Sequence, residues 1–320
     1  MPHKTDWFHD AKWGMFIHLL NGLQNNPDHP ANMGAGETDW GGFIESLDAE
    51  RIAAQVAEVN AGYLFLTLMQ RSRHLIAPNA AFDLVSGYAP GEACARRDFV
   101  ADIHAALEKR GIALCLYFTG DGPLDDSQAG AAFGYTSQAD KVSFGFVEKW
   151  AGVAREYSLR YGPKVRAWWT DGCYAFLGYD EPRLKILADA MRAGNPDALV
   201  AMNKGVEKSV SAYSACDDFT TGEMNEFADA PGGRFINGAQ WHALSFLGVP
   251  PNAAEPWAGW GRPGSKYTGG QLRDYVSRVN ARGGVVTIDA CLFRDGHIDE
   301  EQMEALRALK GLRPAPVDSK

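Results

Sequence analysis

The sequence predicts an α/β fold built as a single (β/α)8 TIM barrel. Three observations lead there. Short apolar runs alternate with amphipathic helical segments, the pattern of a parallel sheet buried on both faces. About seven or eight such β-α units fit into 320 residues, the size of one such barrel. No G-x-G-x-x-G or Walker-type loop follows an early strand, so a doubly wound nucleotide-binding sheet ranks second.

The elements follow in order. Residues 13–18, WGMFIH, read as the first strand. A helix over 49–59 follows, with Asp48 as its N-cap. The apolar run 62–68 is the next strand, and 98–109 the next helix, stopped by Gly111. Strand 112–118 leads to a long helix over 137–161, then to strand 165–169. A helix over 181–193 and a strand over 199–202 come next. Residues 216–268 are rich in Gly, Pro and aromatics and read as long active-site loops within one domain spanning 1–320. Helix 270–282, strand 284–290 and a closing helix 299–312 complete the pattern.

Composition narrows the function. Hydrophobic residues make up 46% and charged residues 22%, ordinary for a globular protein with a sizeable core. A net charge of −9 argues against a nucleic-acid or anionic-membrane partner, which would need clustered Lys and Arg. No stretch reaches the apolar length of a membrane span. The start, Met1-Pro2-His3-Lys4-Thr5-Asp6, lacks a signal-peptide core, so a cytoplasmic location is expected, or a periplasmic or secreted one if a leader was removed. Five cysteines without paired short spacing read as reduced thiols, with Cys115 and Cys291 in the core. The oligomeric state is not legible.

The chemistry concentrates at one strand end. In Ala167-Trp168-Trp169-Thr170-Asp171-Gly172, Trp169 and Asp171 share a side because strand side chains alternate. An aromatic face beside a lone carboxylate suits sugar chemistry, the ring stacking on Trp and the acid meeting a cation-like carbon. Other polar residues at strand ends are His18, Gln70, Arg71, Tyr117, Asn203, Lys204 and Asp289. A barrel would gather all of them at one mouth. A second acid comes from the loop Cys216-Asp217-Asp218-Phe219-Thr220-Thr221-Gly222-Glu223-Met224-Asn225-Glu226. This cluster lacks histidine and EF-hand spacing, so no metal and no cofactor is expected.

In this order the motifs resemble glycoside hydrolase family 29, the α-L-fucosidase family. Trp7-Phe8-His9-Asp10-Ala11-Lys12-Trp13-Gly14-Met15-Phe16-Ile17-His18 is similar to the family's W-F-x-x-A-K-F-G-I-F-I-H-W-G opening. Ala61-Gly62-Tyr63 to Thr67, Arg97-Asp98-Phe99-Val100, Trp169-Thr170-Asp171-Gly172 and Gly283-Gly284 to Asp289 resemble later family segments. The resemblance implies a retaining exo-glycosidase acting on α-L-fucosides or a related sugar. It makes Asp171 the nucleophile and Glu223 the acid/base, with Glu226 behind it. His18, Tyr117 and Trp169 would line the sugar subsite, with Trp40, beside Glu37, as an aromatic-acid pair.

Departures from the family pattern are specific. The paired histidines after the second strand are Gln70 and Arg71 here, and a later W-E segment reads Trp241-His242. Gln70, Arg71, Lys204 and His242 therefore enter the expected substrate-binding set. The chain reads as a barrel without the family's C-terminal β-sandwich. Arg71 and Arg73 open a second expectation, a glycosidase for a different or acidic sugar, since a guanidinium forks onto carboxylate or sulfate. The alternative for Arg71 is an ion pair with a neighbouring acid. A non-catalytic carbohydrate-binding barrel is the competing class, and a metal-dependent barrel enzyme ranks lower, because only His18 is placed as a ligand.

Overall fold

Seven parallel strands form one curled sheet, with the helices packed on its outer face. They are β1 (Trp13–Ile17), β2 (Tyr63–Thr67), β3 (Ala113–Thr119), β4 (Val165–Asp171), β5 (Leu199–Met202), β6 (His242–Phe246) and β7 (Val285–Asp289). Their spatial order is β5-β4-β3-β2-β1-β7-β6. This computed structural model describes residues 3–313; Met1, Pro2 and 314–320, which the N-terminal reading and the expected 1–320 domain include, lie outside the described residues.

The strand alternation sorts two apolar layers. Phe16, Tyr63, Phe65, Cys115, Tyr117, Ala167, Trp169, Leu199, Ala201, Leu244 and Val285 belong to one buried cluster, inside the curl. Trp13, Met15, Ile17, Leu64, Leu66, Leu114, Leu116, Phe118, Trp168, Val200, Met202, Val286 and Ile288 belong to the other, against the helices. Each large apolar side chain removed from water stabilises the fold by roughly 1.5–3 kcal/mol. The outer layer is covered by α2 (Ala49–Glu58), α3 (Phe99–Glu108), α4 (Phe144–Tyr161), α5 (Glu181–Met191), α6 (Gly269–Ala281) and α7 (Glu300–Arg307). α1 (Asp6–Ala11) instead places Phe8 inside the curl, against Tyr63, Phe219 and His242. Tyr63 and His242 are the first residues of their strands, so α1 stoppers the end of the curl where the strands begin.

Capping explains where the helices start. Asp48, Asp98, Ser143, Asp180 and Asp299 each accept the N–H three residues on, and Thr268 forms a capping box with Gln271. A cap of this kind stabilises a helix by about 1 kcal/mol. Ser143 also corrects the sequence reading. The helix expected over 137–161 begins at Phe144, because Ser143 accepts from the Phe146 N–H and 137–143 are not helical.

The second difference lies between β5 and β6. The eight strands of the expected barrel are seven here. Residues 218–224 run extended through the remaining gap without forming a regular strand. The Asp218 N–H donates to the Val200 carbonyl of β5 at 2.8 Å. On the other side, Thr220 N–H donates to the Gln240 carbonyl and Leu244 N–H to the Gly222 carbonyl, at 3.0 and 2.8 Å. Gly222 permits this close approach. Its φ is +58°, and a Cβ there would stand 2.0 Å from the His242 carbonyl oxygen.

Register levels the strand ends. Thr119 lies opposite Asp171, and Phe16 and Phe246 lie opposite Asp289. The side chains at and just after these positions therefore share one rim. Among the described residues no helix is long and apolar enough to cross a membrane.

Candidate active site

At that rim a cavity of about 140 Å³ is lined by Phe16, His18, Leu20, Leu23, Gln70, Tyr117, Trp169, Asp171, Glu223, Leu244 and Trp260. Its walls follow from strand geometry. Phe16, Tyr117 and Trp169 point inward from β1, β3 and β4, with Tyr117 stacked on Trp169 at 5.6 Å and 19°. Phe16 meets both rings edge-on. The Trp169 indole N–H donates to the Thr221 carbonyl at 3.1 Å, which fixes the ring. Trp260 comes from the 216–268 region and meets His18 edge-on at 5.6 Å.

Asp171 ends β4 and is held by four donors. Tyr117 Oη donates to Oδ2 at 2.8 Å, with Gln70 Nε2 at 3.5 Å. Tyr174 Oη donates to Oδ1 at 3.1 Å and Asn203 Nδ2 to the same oxygen at 2.9 Å. The donors on Oδ2 line the cavity, so that oxygen faces it. Charge-assisted bonds of this kind orient a carboxylate as well as stabilise it.

Asn203 links the two acids. The same Nδ2 also donates to Glu223 Oε2 at 2.6 Å. Its amide orientation is forced, because Oδ1 accepts the Gly205 N–H at 3.1 Å on the other side. The two acid oxygens on this shared donor can be no further apart than the sum of its bonds, about 5.5 Å. Burial first, then the Asp171 charge, pushes Glu223 above the ordinary glutamate range, while the Asn203 bond pulls it back. Glu223 thus keeps a proton that it can donate. Asp121, also near Asp171, is raised to about 6, by burial and then by the Asp171 charge.

His18 is the histidine of the cavity. Its Nδ1 donates to Asp289 Oδ1 at 2.7 Å, and Asp289 Oδ2 accepts the Gly261 N–H at 2.8 Å. This leaves Nε2 as the free ring nitrogen. Asp289 therefore orients His18 and pins the Trp260 segment at once.

Several expected residues stand elsewhere. Trp40 is buried under the helices, its indole N–H donating to the Leu75 carbonyl at 2.9 Å. Arg71 pairs with Asp125 at 2.9 Å, and Lys204 with Glu207 at 2.9 Å; neither lines the cavity. His242 is fully buried at the start of β6, bonded to Thr220 and Thr287, and its burial lowers it to about 4. Glu226 is 64% exposed and bonded to Tyr267. The sequence reading missed Tyr174, Leu20, Leu23 and Trp260, and passed over Asn203 in favour of Lys204. Alternation carried the Asn203 signal: Leu199 and Ala201 face inward, so Asn203 does too. Among the described residues no group of three or more His, Cys, Asp or Glu is placed to hold a metal ion.

Comparison with known proteins bears on this arrangement. No family model and no curated sequence matches the chain. Solved structures do. The α-L-fucosidase AlfC from Lactobacillus casei, solved in complex with its α-L-fucose product, matches with a TM-score of 0.63 at 18% identity, over 97% of each chain. An endo-fucoidan hydrolase of glycoside hydrolase family 107 matches with a TM-score of 0.71 at 15% identity, over 96% of this chain and 92% of its own. A second hydrolase of that family matches at 0.69 and 15%, and there the chain spans only 53% of the other's length. The fold is a fucosidase-like glycoside hydrolase fold. Identities this low speak for the fold alone.

Proposed function

We propose that the chain is a retaining exo-glycosidase acting on α-L-fucosides, a single catalytic domain in which 218–224 completes the barrel. The observation that carries this reading is the Asn203 amide shared by Asp171 and Glu223. Retaining glycosidases hold their carboxyl groups roughly 5–5.5 Å apart, whereas inverting ones leave roughly 6.5–9.5 Å for a water. The shared amide holds the bonded oxygens within about 5.5 Å of each other, short of the inverting separation.

The steps follow from the two environments. Asp171 Oδ2 attacks the anomeric carbon as Glu223 transfers its proton to the departing oxygen, and the glycosidic bond breaks. A water then enters; Glu223 takes its proton, the water oxygen bonds to the anomeric carbon, and Asp171 leaves. Tyr117 and Trp169 offer stacked faces to the ring, and Gln70 and His18 Nε2 offer hydrogen bonds to hydroxyls. Pockets for drug-sized ligands begin near 300 Å³, so a cavity of about 140 Å³ suits one small sugar at a chain end. Among the described residues no Lys or Arg lines it, which favours a neutral sugar over an acidic one.

The decisive experiment replaces Asp171 and supplies an outside nucleophile. Asp171→Gly should lose about 10³-fold or more in kcat on an aryl α-L-fucoside, and azide should restore turnover as a fucosyl azide of inverted configuration. Wild-type turnover in Asp171→Gly would overturn the assignment. Calorimetric fucose binding without turnover of any glycoside would establish the binding-barrel alternative.

A further inference from the structure

A cavity that holds one ring leaves the rest of a glycoside outside it. The departing oxygen must lie on the Glu223 side, because that acid protonates it. Tyr174 stands there. Its hydroxyl bonds Asp171 Oδ1 at 3.1 Å, and its ring lies 3.7 Å from where a Gly205 Cβ would be. Gly205 is the residue whose N–H fixes the Asn203 amide on Glu223. Burial first, then the charges of Asp171 and Glu223, pushes the Tyr174 phenol up.

Phe176 lies on the outer face of Tyr174. The rings stack at 5.2 Å and 25°, yet Phe176 is 63% exposed. A lone exposed phenylalanine needs no explanation. This one is backed by a residue bonded to the nucleophile, and its turn is fixed. Leu177 N–H donates to the Tyr174 carbonyl at 2.9 Å, and Val142 N–H to the Leu177 carbonyl at 2.8 Å. Lys141 Nζ donates to the Phe176 carbonyl. A platform held in place before binding loses little entropy on binding.

We infer that Phe176, backed by Tyr174, is the platform for the leaving-group sugar, taking the apolar face of an uncharged pyranose. This rests on the assignment of Asp171 and Glu223 above. The platform belongs to the departing half of the substrate, and Phe176 itself does not line the cavity.

The test compares two substrates with one glycone. α-L-Fucosyl fluoride has no ring in its leaving group; a fucosyl disaccharide has one. In Phe176→Ala the ratio of kcat/KM for disaccharide over fluoride should fall roughly three- to tenfold, the range of one aromatic contact. Phe176→Trp should keep or raise the wild-type ratio. An unchanged ratio in Phe176→Ala, whether both rates fall together or neither falls, overturns the platform while leaving the hydrolase standing. A wild-type protein that cleaves neither substrate overturns the hydrolase and the platform with it.

Discussion

Asn203 gives one amide hydrogen to each of two acids, and its effect on Glu223 has a definite sign. Burial raises Glu223 and the Asn203 bond opposes that rise. The first step needs Glu223 protonated, so kcat/KM falls as pH climbs through its value. Removing the bond in Asn203→Ala lets Glu223 rise further. The basic limb of the kcat/KM profile should therefore move to higher pH, with kcat reduced about tenfold or more as both acids lose their anchor. A limb that stays fixed or moves down would contradict this. At this scale Asp171, Trp169, Tyr117, His18 and Gln70 were legible as polar or aromatic residues at strand ends, whereas Glu223 was one of four acids on a loop and only the family resemblance singled it out. Arg71 and Lys204 were not separable from Gln70 and Asn203 without strict alternation. His242 faces inward but at the first residue of β6, and depth along a strand is invisible until its boundary is known.

The element that places Glu223 is the least regular part of the curl. Residues 218–224 hydrogen-bond to β5 and to the β6 side, yet only isolated bridges form. Its run of polar residues, with an internal glycine, does not read as a strand, which is why the sequence assigned it to a loop. Gly222 is where its backbone lies tightest against β6. Gly222→Ala would combine a φ of +58° with a Cβ 2.0 Å from the His242 carbonyl. It should destabilise the protein by about 3 kcal/mol or more and displace the adjacent Glu223. A thermal melt beside a turnover assay checks both; an unchanged melting temperature would contradict the tight seam. By contrast, β1 to β4 and their helices were readable in advance, since long apolar runs and Asp or Ser caps are local signals. The late start of α4 was missed because Ser143 competes with the apolar pattern only through its cap.

Across the whole molecule, the site costs stability. Glu223 has an ordinary value of 4.5 and is raised in the folded state. Below about pH 4 the carboxyl is protonated in folded and unfolded chains alike, and folding is indifferent to it. As pH rises from the ordinary value towards the folded-state value, the unfolded chain ionises while the buried carboxyl does not, and stability falls; above the folded-state value the loss is complete. Glu223→Gln should therefore raise the melting temperature by a few degrees near pH 9 and by almost nothing near pH 4. Equal shifts at both values would remove the charge explanation. The overall plan was legible because one repeating unit dominates the sequence, whereas the seam between β5 and β6 depends on a contact between distant segments. The stopper formed by α1 has a practical reach. Its Phe8 plugs the end of the curl where the strands begin, whereas the cavity opens where they finish. A tag, bead or fusion partner joined ahead of His3 would therefore hang from the back of the molecule, leaving the mouth free to meet a bulky glycan.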